Sequence, residues 1–148
     1  MSILKLSKVK ANAVVPARAT PESAGYDLSV CLTEPLDLPA GQRVLVPTGI
    51  ALALPKNTVG LVFGRSGLGT KHGISPSNAV GVIDSDYRGE VFVPLSNHSQ
   101  TDYRIELGER IAQLVIVPIE TPEIELCEQL PETERGKGGF GSTGRGAR

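Results

Sequence analysis

Short apolar or alternating runs recur along this chain, and most are set apart by glycine, proline, asparagine or aspartate. They read ILKLSKV, YDLSV, RVLVP, GIALAL, TVGLVF, AVGVI, EVFVPL, YRIEL, AQLVIVPI and EIELC. Runs of this length are too short for stable helices and long enough for strands, so the spacing predicts an all-β barrel or sandwich. The 17 glycines and 11 prolines point the same way, because both residues interrupt helices and supply turns. The longest helical candidate, SGLGTKHG, is itself short. AQLVIVPI is apolar on both faces, as expected of a strand buried on two sides or packed against another subunit. A chain of 148 residues fits one compact domain. The composition changes after Cys127 to EQLPETERGKGGFGSTGRGAR, which has too few apolar groups to fold alone. We therefore expect a β-domain over residues 1–128 and a flexible glycine-rich arm over 129–148.

The charge balance excludes some functions. With 15 basic and 16 acidic side chains the net charge is -1, which gives no general affinity for nucleic acid. Any phosphate must be bound locally. Cys31 and Cys127 are far apart in sequence and form no metal-binding pair, so both are expected to be buried free thiols. Lysines interrupt the N-terminal apolar residues before a signal core can form, and no run approaches the ~18 apolar residues of a membrane span. These features describe a soluble, cytoplasmic protein with no membrane partner.

Several short motifs carry chemistry. GFGSTG, from Gly139 to Gly144, matches a dinucleotide fingerprint literally but neither follows a strand nor opens a helix, so that reading fails. Glycine-freed N–H groups can still cradle phosphate, with Ser142 and Thr143 adding hydroxyls and Arg135 a guanidinium fork; the competing reading is a disordered tail. Ordering ten such residues costs on the order of 10–20 kcal/mol. Stacking Phe140 on a base returns only ~1–3 kcal/mol, and each charge-assisted phosphate bond roughly 1.5–3. Closure of the arm therefore needs a ligand with both base and phosphates. In GVIDSDYRGEV, Asp84 and Asp86 stand at i and i+2, where two carboxylates can hold a metal-bound water or act as general base, or can merely serve a solvated hairpin tip. Arg65 and Ser66 open the short helix, a place suited either to an oxyanion or to a capping serine. Gln113 lies inside an apolar strand, facing a buried partner or a ligand. His72 and His98 lack metal-like spacing.

Taken in order, AGYDL (24–28), GRSGLG (64–69), NAVGVIDSDYRGEV (78–91), GERIAQL (108–114) and RGKGGFGSTG (135–144) closely resemble the five motifs of the trimeric deoxyuridine triphosphatases. Each motif alone is weak, whereas the ordered set is highly specific. The resemblance implies a homotrimer of jelly-roll-like β-barrel subunits with shared active sites, and magnesium-dependent hydrolysis of dUTP to dUMP and pyrophosphate. It implies that Asp84 activates the attacking water and that Tyr87 lies beneath the deoxyribose. Asn78, Gly81 and Ile83 resemble the uracil pocket, while Arg65, Ser66, Gly67 and Gln113 match phosphate-contacting positions. Asp27 resembles a carboxylate near the magnesium's water shell. Arg135, Ser142 and Thr143 resemble the γ-phosphate grip, with Gly141 a further substrate-binding position and Phe140 as the lid on uracil. Gly64 and Gly69 stand where many relatives carry proline and alanine, which loosens the short helix. Deoxycytidine triphosphate deaminases share the fold, and a non-hydrolysing nucleotide sensor or a purely structural trimer is a further alternative; the Asp84 and Tyr87 motif matches the hydrolase better.

Overall fold

A computed structural model describes residues 3–139. The chain forms β1 (Lys5–Lys8), β2 (Tyr26–Ser29), β3 (Leu36–Leu38), β4 (Arg43–Ala53), β5 (Thr58–Gly64), the helix α1 (Ser66–His72), β6 (Ile74–Pro76), β7 (Gly81–Ile83), β8 (Glu90–Asn97), β9 (Tyr103–Ile105) and β10 (Arg110–Pro118). They build a four-stranded sheet in the order β1-β4-β8-β6, a second in the order β2-β10-β5-β7, and the small pair β3-β9. Neighbouring strands are distant in sequence and antiparallel throughout. The architecture is all-β and jelly-roll-like, with sheets that do not close into one continuous barrel.

The core lies between the sheets and follows from period-two alternation. Val46 and Ile50 of β4 meet Val93 and Leu95 of β8, and Leu28 and Leu114 enter from the second sheet; all are essentially inaccessible to solvent. RVLVP and GIALAL, apparently divided by a Pro-Thr-Gly turn, are one strand. The ladder with β8 shifts register between Pro47 and Ala51, and Gly49 takes a φ of 71° within that irregularity. A Cβ at Gly49 would stand 2.7 Å from the Cys31 sulfur, so conformation and packing both require glycine there. What resembles a turn is thus a bulge that bends a long strand around the core.

Other sequence expectations are corrected. β3 and β6 were not among the predicted runs, being three residues each and stabilised by pairing rather than by their own pattern. EIELC forms no strand in this chain: Ile124 and Leu126 are 99% and 98% exposed. Cys31 is buried as expected and donates to the Asn12 side-chain oxygen at 3.1 Å, but Cys127 is exposed because it lies on that same unpaired segment. Among the described residues no helix is long and apolar enough to cross a membrane.

Candidate functional site

Two ladders in the second sheet bring distant motifs side by side. β10 places Gln113 between Asp27 of β2 and Phe63 of β5, and α1 begins directly beyond the end of β5. The result is a cavity of about 520 Å³ lined by Asp27, Arg65, Ser66, Gly67 and Gln113, with Gly25 and Arg110 among the neighbours. Five of the residues carried over to phosphate and magnesium, Asp27, Arg65, Ser66, Gly67 and Gln113, are therefore gathered here.

Their geometry is that of an oriented cation pair. Asp27 accepts from Arg65 Nε at 3.0 Å through Oδ1 and from Arg110 Nη1 at 2.9 Å through Oδ2. Arg65 Nη1 also donates to the Arg110 carbonyl at 3.2 Å. One carboxylate thus fixes two guanidinium groups, leaving further N–H donors of both to a ligand. The Gln113 amide donates to the Gly64 carbonyl at 2.9 Å, so it satisfies a local partner while lining the cavity. Gly25 makes this fit, since a Cβ there would stand 2.6 Å from Gln113 Oε1. Ser66 is not the helix cap: Arg65 occupies that position in extended conformation without a side-chain cap bond, and Ser66 is exposed. Arg110 is not singled out by the sequence, where Gln113 is the polar residue that stands out within the apolar run of GERIAQL. The position of Arg110 two residues before the alternating core of β10 was the available signal.

Arg110 is braced from behind. Tyr103 donates to Glu109, whose other carboxylate oxygen accepts from the Glu106 N–H at 2.9 Å. Burial, then the hydrogen bond to Glu109 and the charges of Glu109 and Glu106, push the Tyr103 phenol above its ordinary pKa. It stays protonated and holds the turn that delivers β10.

A second, smaller cavity of about 240 Å³ is lined by Val82, Ile83, Asp84, Tyr87, Glu90, Val91 and Phe92. Asp84 and Tyr87 belong to a turn closed by the Tyr87 N–H on the Asp84 carbonyl, 3.2 Å. The turn twists Asp84 and Asp86 out of the strand, so they share no ladder. Asn78 and Gly81 lie at the opposite end of β7, where Ala79 takes a φ of 63° and the Val80 N–H bonds back to the Asn78 carbonyl at 2.7 Å. A non-glycine residue at positive φ is strained, the kind of backbone found where main-chain groups are presented to a ligand.

The two cavities share no lining residue. Ile83 pairs with Gly60, while Arg65 follows Gly64, so Asp84 and Arg65 leave opposite ends of β5. The four-residue offset alone spans ~13 Å at ~3.3 Å per residue. Arg135 is exposed and lines neither cavity. Phe140, Gly141, Ser142 and Thr143 lie outside the described residues.

For magnesium, Asp27 is the one carboxylate lining the arginine cavity, and no group of three or more His, Cys, Asp or Glu among the described residues is placed to hold a metal. This donor set fits an ion that keeps its water and binds mainly to phosphate oxygens, and does not fit a protein cage.

The glycines of α1 separate folding from binding. Gly69 has no positive φ, and an added Cβ would meet nothing closer than the Ile74 carbonyl at 3.9 Å. Gly69→Ala should stabilise the fold by about 0.5–1 kcal/mol, read as a higher melting temperature with turnover unchanged. Gly67 has equal room, nothing lying within 4 Å, but it lines the cavity. Gly67→Ala should melt no lower than wild type yet lose substrate affinity; undiminished affinity would show that no ligand approaches the backbone there.

Comparison with known proteins agrees with this geometry. The dUTPase family model matches residues 11–144. The deoxyuridine 5'-triphosphate nucleotidohydrolase of Acinetobacter baumannii is 52% identical over 132 residues, covering 88% of each chain. That of Burkholderia multivorans is 48% identical over 143 residues, covering 96% of this chain and 97% of the relative. Staphylococcus bacteriophage 80alpha dUTPase with dUPNHPP superposes with a TM-score of 0.89 at 32% identity, over 98% of this chain and 100% of that one. A mutant dUTPase from phage phi11 of S. aureus, described for the coordination of a structural Mg(II) ion, superposes at 0.80 with 27% identity over 88% and 99% of the two chains. The family model spans most of the chain, the curated relatives match it at about half of all positions and the solved structures share its fold: the chain belongs to the dUTPase family.

Proposed function

We propose that this protein hydrolyses dUTP to dUMP and pyrophosphate, removing the precursor of uracil in DNA and supplying dUMP for thymidylate synthesis. The observation that carries the reading is the Asp27-oriented pair Arg65 and Arg110 beside Gln113, a preorganised polyphosphate cradle in a family that acts on this nucleotide. Asp84 takes a proton from water as the oxygen bonds to the α-phosphorus. The bond from that phosphorus to the bridging oxygen breaks, and its electron pair leaves with pyrophosphate.

Arg65, Gln113, Ser66 and the N–H of Gly67 hold the phosphates, with fixed donors that need no reorganisation during reaction. Asn78, Gly81 and Ile83 read uracil through main-chain groups; cytosine's amino group would leave them unpaired, a mismatch worth ~10⁴–10⁵ in discrimination. Tyr87 lies under the deoxyribose and excludes a 2′-hydroxyl. Arg135, Gly141, Ser142 and Thr143 grip the γ-phosphate and Phe140 covers the base, as parts of an arm over 129–148. Asp27 would stand beside the water shell of a magnesium ion brought in with the triphosphate, and that ion would supply charge neutralisation at the phosphates.

The protein is a homotrimer in this reading, which the division of the site supports. Asp84 and the arginine pair line separate cavities in one chain, and a nucleotide held between two copies would engage one cavity from each. On the face of the second sheet that also carries Gln113, Phe63 and Val82 are exposed beside half-buried Leu61 and Val115, and Ile124, Leu126 and Leu130 are bare on the segment after β10. A third copy completes a closed ring.

The test is a product assay with dUTP, dTTP, dCTP and UTP in magnesium, alongside a solution mass. Pyrophosphate and dUMP should appear from dUTP alone, at three times the chain mass. Ammonia from dCTP would identify a deaminase, and dUTP binding without turnover a sensor.

A further inference from the structure

The turn that carries Tyr87 contains a glycine that the fold itself does not require. Gly89 is exposed and adopts no positive φ, so neither burial nor backbone conformation excludes a side chain. What excludes one is the Tyr87 ring. A Cβ built on Gly89 would meet the Tyr87 hydroxyl and stand 2.6 Å from Cζ and 3.1 Å from Cε2. The same hydroxyl donates to the Glu90 carbonyl at 3.1 Å. Arg88 folds back to donate to the carbonyls of Ser85 and Tyr87, both at 2.8 Å. The ring is thereby seated on its own turn: its hydroxyl is tied to residue 90, its edge rests on bare Cα at 89, and its backbone is stapled from 88.

We propose that Gly89 is a positioning residue for sugar recognition, the gap that lets Tyr87 lie back along its turn at the height where a deoxyribose fits and a ribose does not. The proposal rests on the reading of Tyr87 as the platform beneath the sugar. Any side chain at 89 lifts the ring from the Glu90 carbonyl and into the neighbouring cavity, where Tyr87 lies with Asp84 and Ile83. The obstructed atoms are the far end of one exposed side chain, so the substitution moves the ring and leaves the fold intact.

The experiment compares wild type, Gly89→Ala, Tyr87→Ala and the double variant. Gly89→Ala should remain folded by circular dichroism and keep the wild-type mass. Its preference for dUTP over UTP, as the ratio of kcat/KM values, should fall about tenfold or more, because a ~1 Å misplacement at a site costs up to ~10²-fold in rate. In the Tyr87→Ala background the same change at 89 should have no further effect on that ratio, since its route of action is gone. Two additive losses would overturn the proposal. An activity-independent reading comes from aromatic NMR of the ligand-free protein, whose three tyrosines are Tyr26, Tyr87 and Tyr103. Gly89→Ala should shift the Tyr87 ring signals, identified by their loss in Tyr87→Ala, and spare the other two. Unmoved Tyr87 signals overturn the assignment of Gly89, whereas a wild-type enzyme that treats UTP and dUTP alike overturns the functional reading of Tyr87 instead.

Discussion

Asp84→Asn should lower kcat by at least ~10²-fold, the lower end for losing a general base, while nucleotide affinity stays near that of the parent. Asparagine keeps the shape of the side chain and its capacity to accept a hydrogen bond, but cannot take a proton from water. The structure makes this substitution unusually clean. Asp84 is exposed on its turn, and among the described residues its carboxylate enters no ion pair; the turn is closed by its backbone carbonyl, which the change does not touch. Stability should therefore move by no more than about 0.5 kcal/mol. Single-turnover kinetics with thermal melts would separate the two effects. Full turnover in the variant would move the role of base to another residue of the turn.

Deleting residues 135–148 should leave a folded protein of unchanged oligomeric mass and remove most of its turnover. Residues 135–139 are exposed and contribute nothing to the core, so that part of the deletion takes away no buried apolar area. The removed stretch contains Arg135, Phe140, Ser142 and Thr143, whose expected contacts form only once nucleotide is bound. Losing one aromatic stack at ~1–3 kcal/mol and one or two charge-assisted bonds at roughly 1.5–3 each amounts to several powers of ten in transition-state stabilisation. Matching melts with kcat/KM reduced by ~10³-fold or more is the expected pair of results. A truncated chain as active as the full one would end the closing-arm reading.

Sequence and structure agree best where chemistry is local. The strands of the second sheet, the short helix and the Asp84 turn are all legible as runs and breaks, because alternation and turn residues act within a few positions. Misreadings occur where a neighbour decides. Gly49 passes for a turn because its partner strand is invisible in sequence, and the Cys31 sulfur that requires it lies 18 positions away. EIELC has strand-like alternation but pairs with no edge among the described residues, and its exposed backbone is left to water. Arg110 could be read only as a polar residue in a motif until its guanidinium was found on Asp27.

The order of residues by itself determined the class of fold, the five motifs and the residue types proposed for the phosphates, base and sugar, since these depend on short-range pattern and on chemical identity. Tertiary structure alone decided how those residues are divided. Antiparallel pairing of β7 with β5 sends Asp84 and Arg65 to opposite ends of one strand, and the ladder through β10 joins Asp27, Gln113 and Arg110 at a single cavity. Pairing register is a property of two strands at once, so no single run of the chain could carry it.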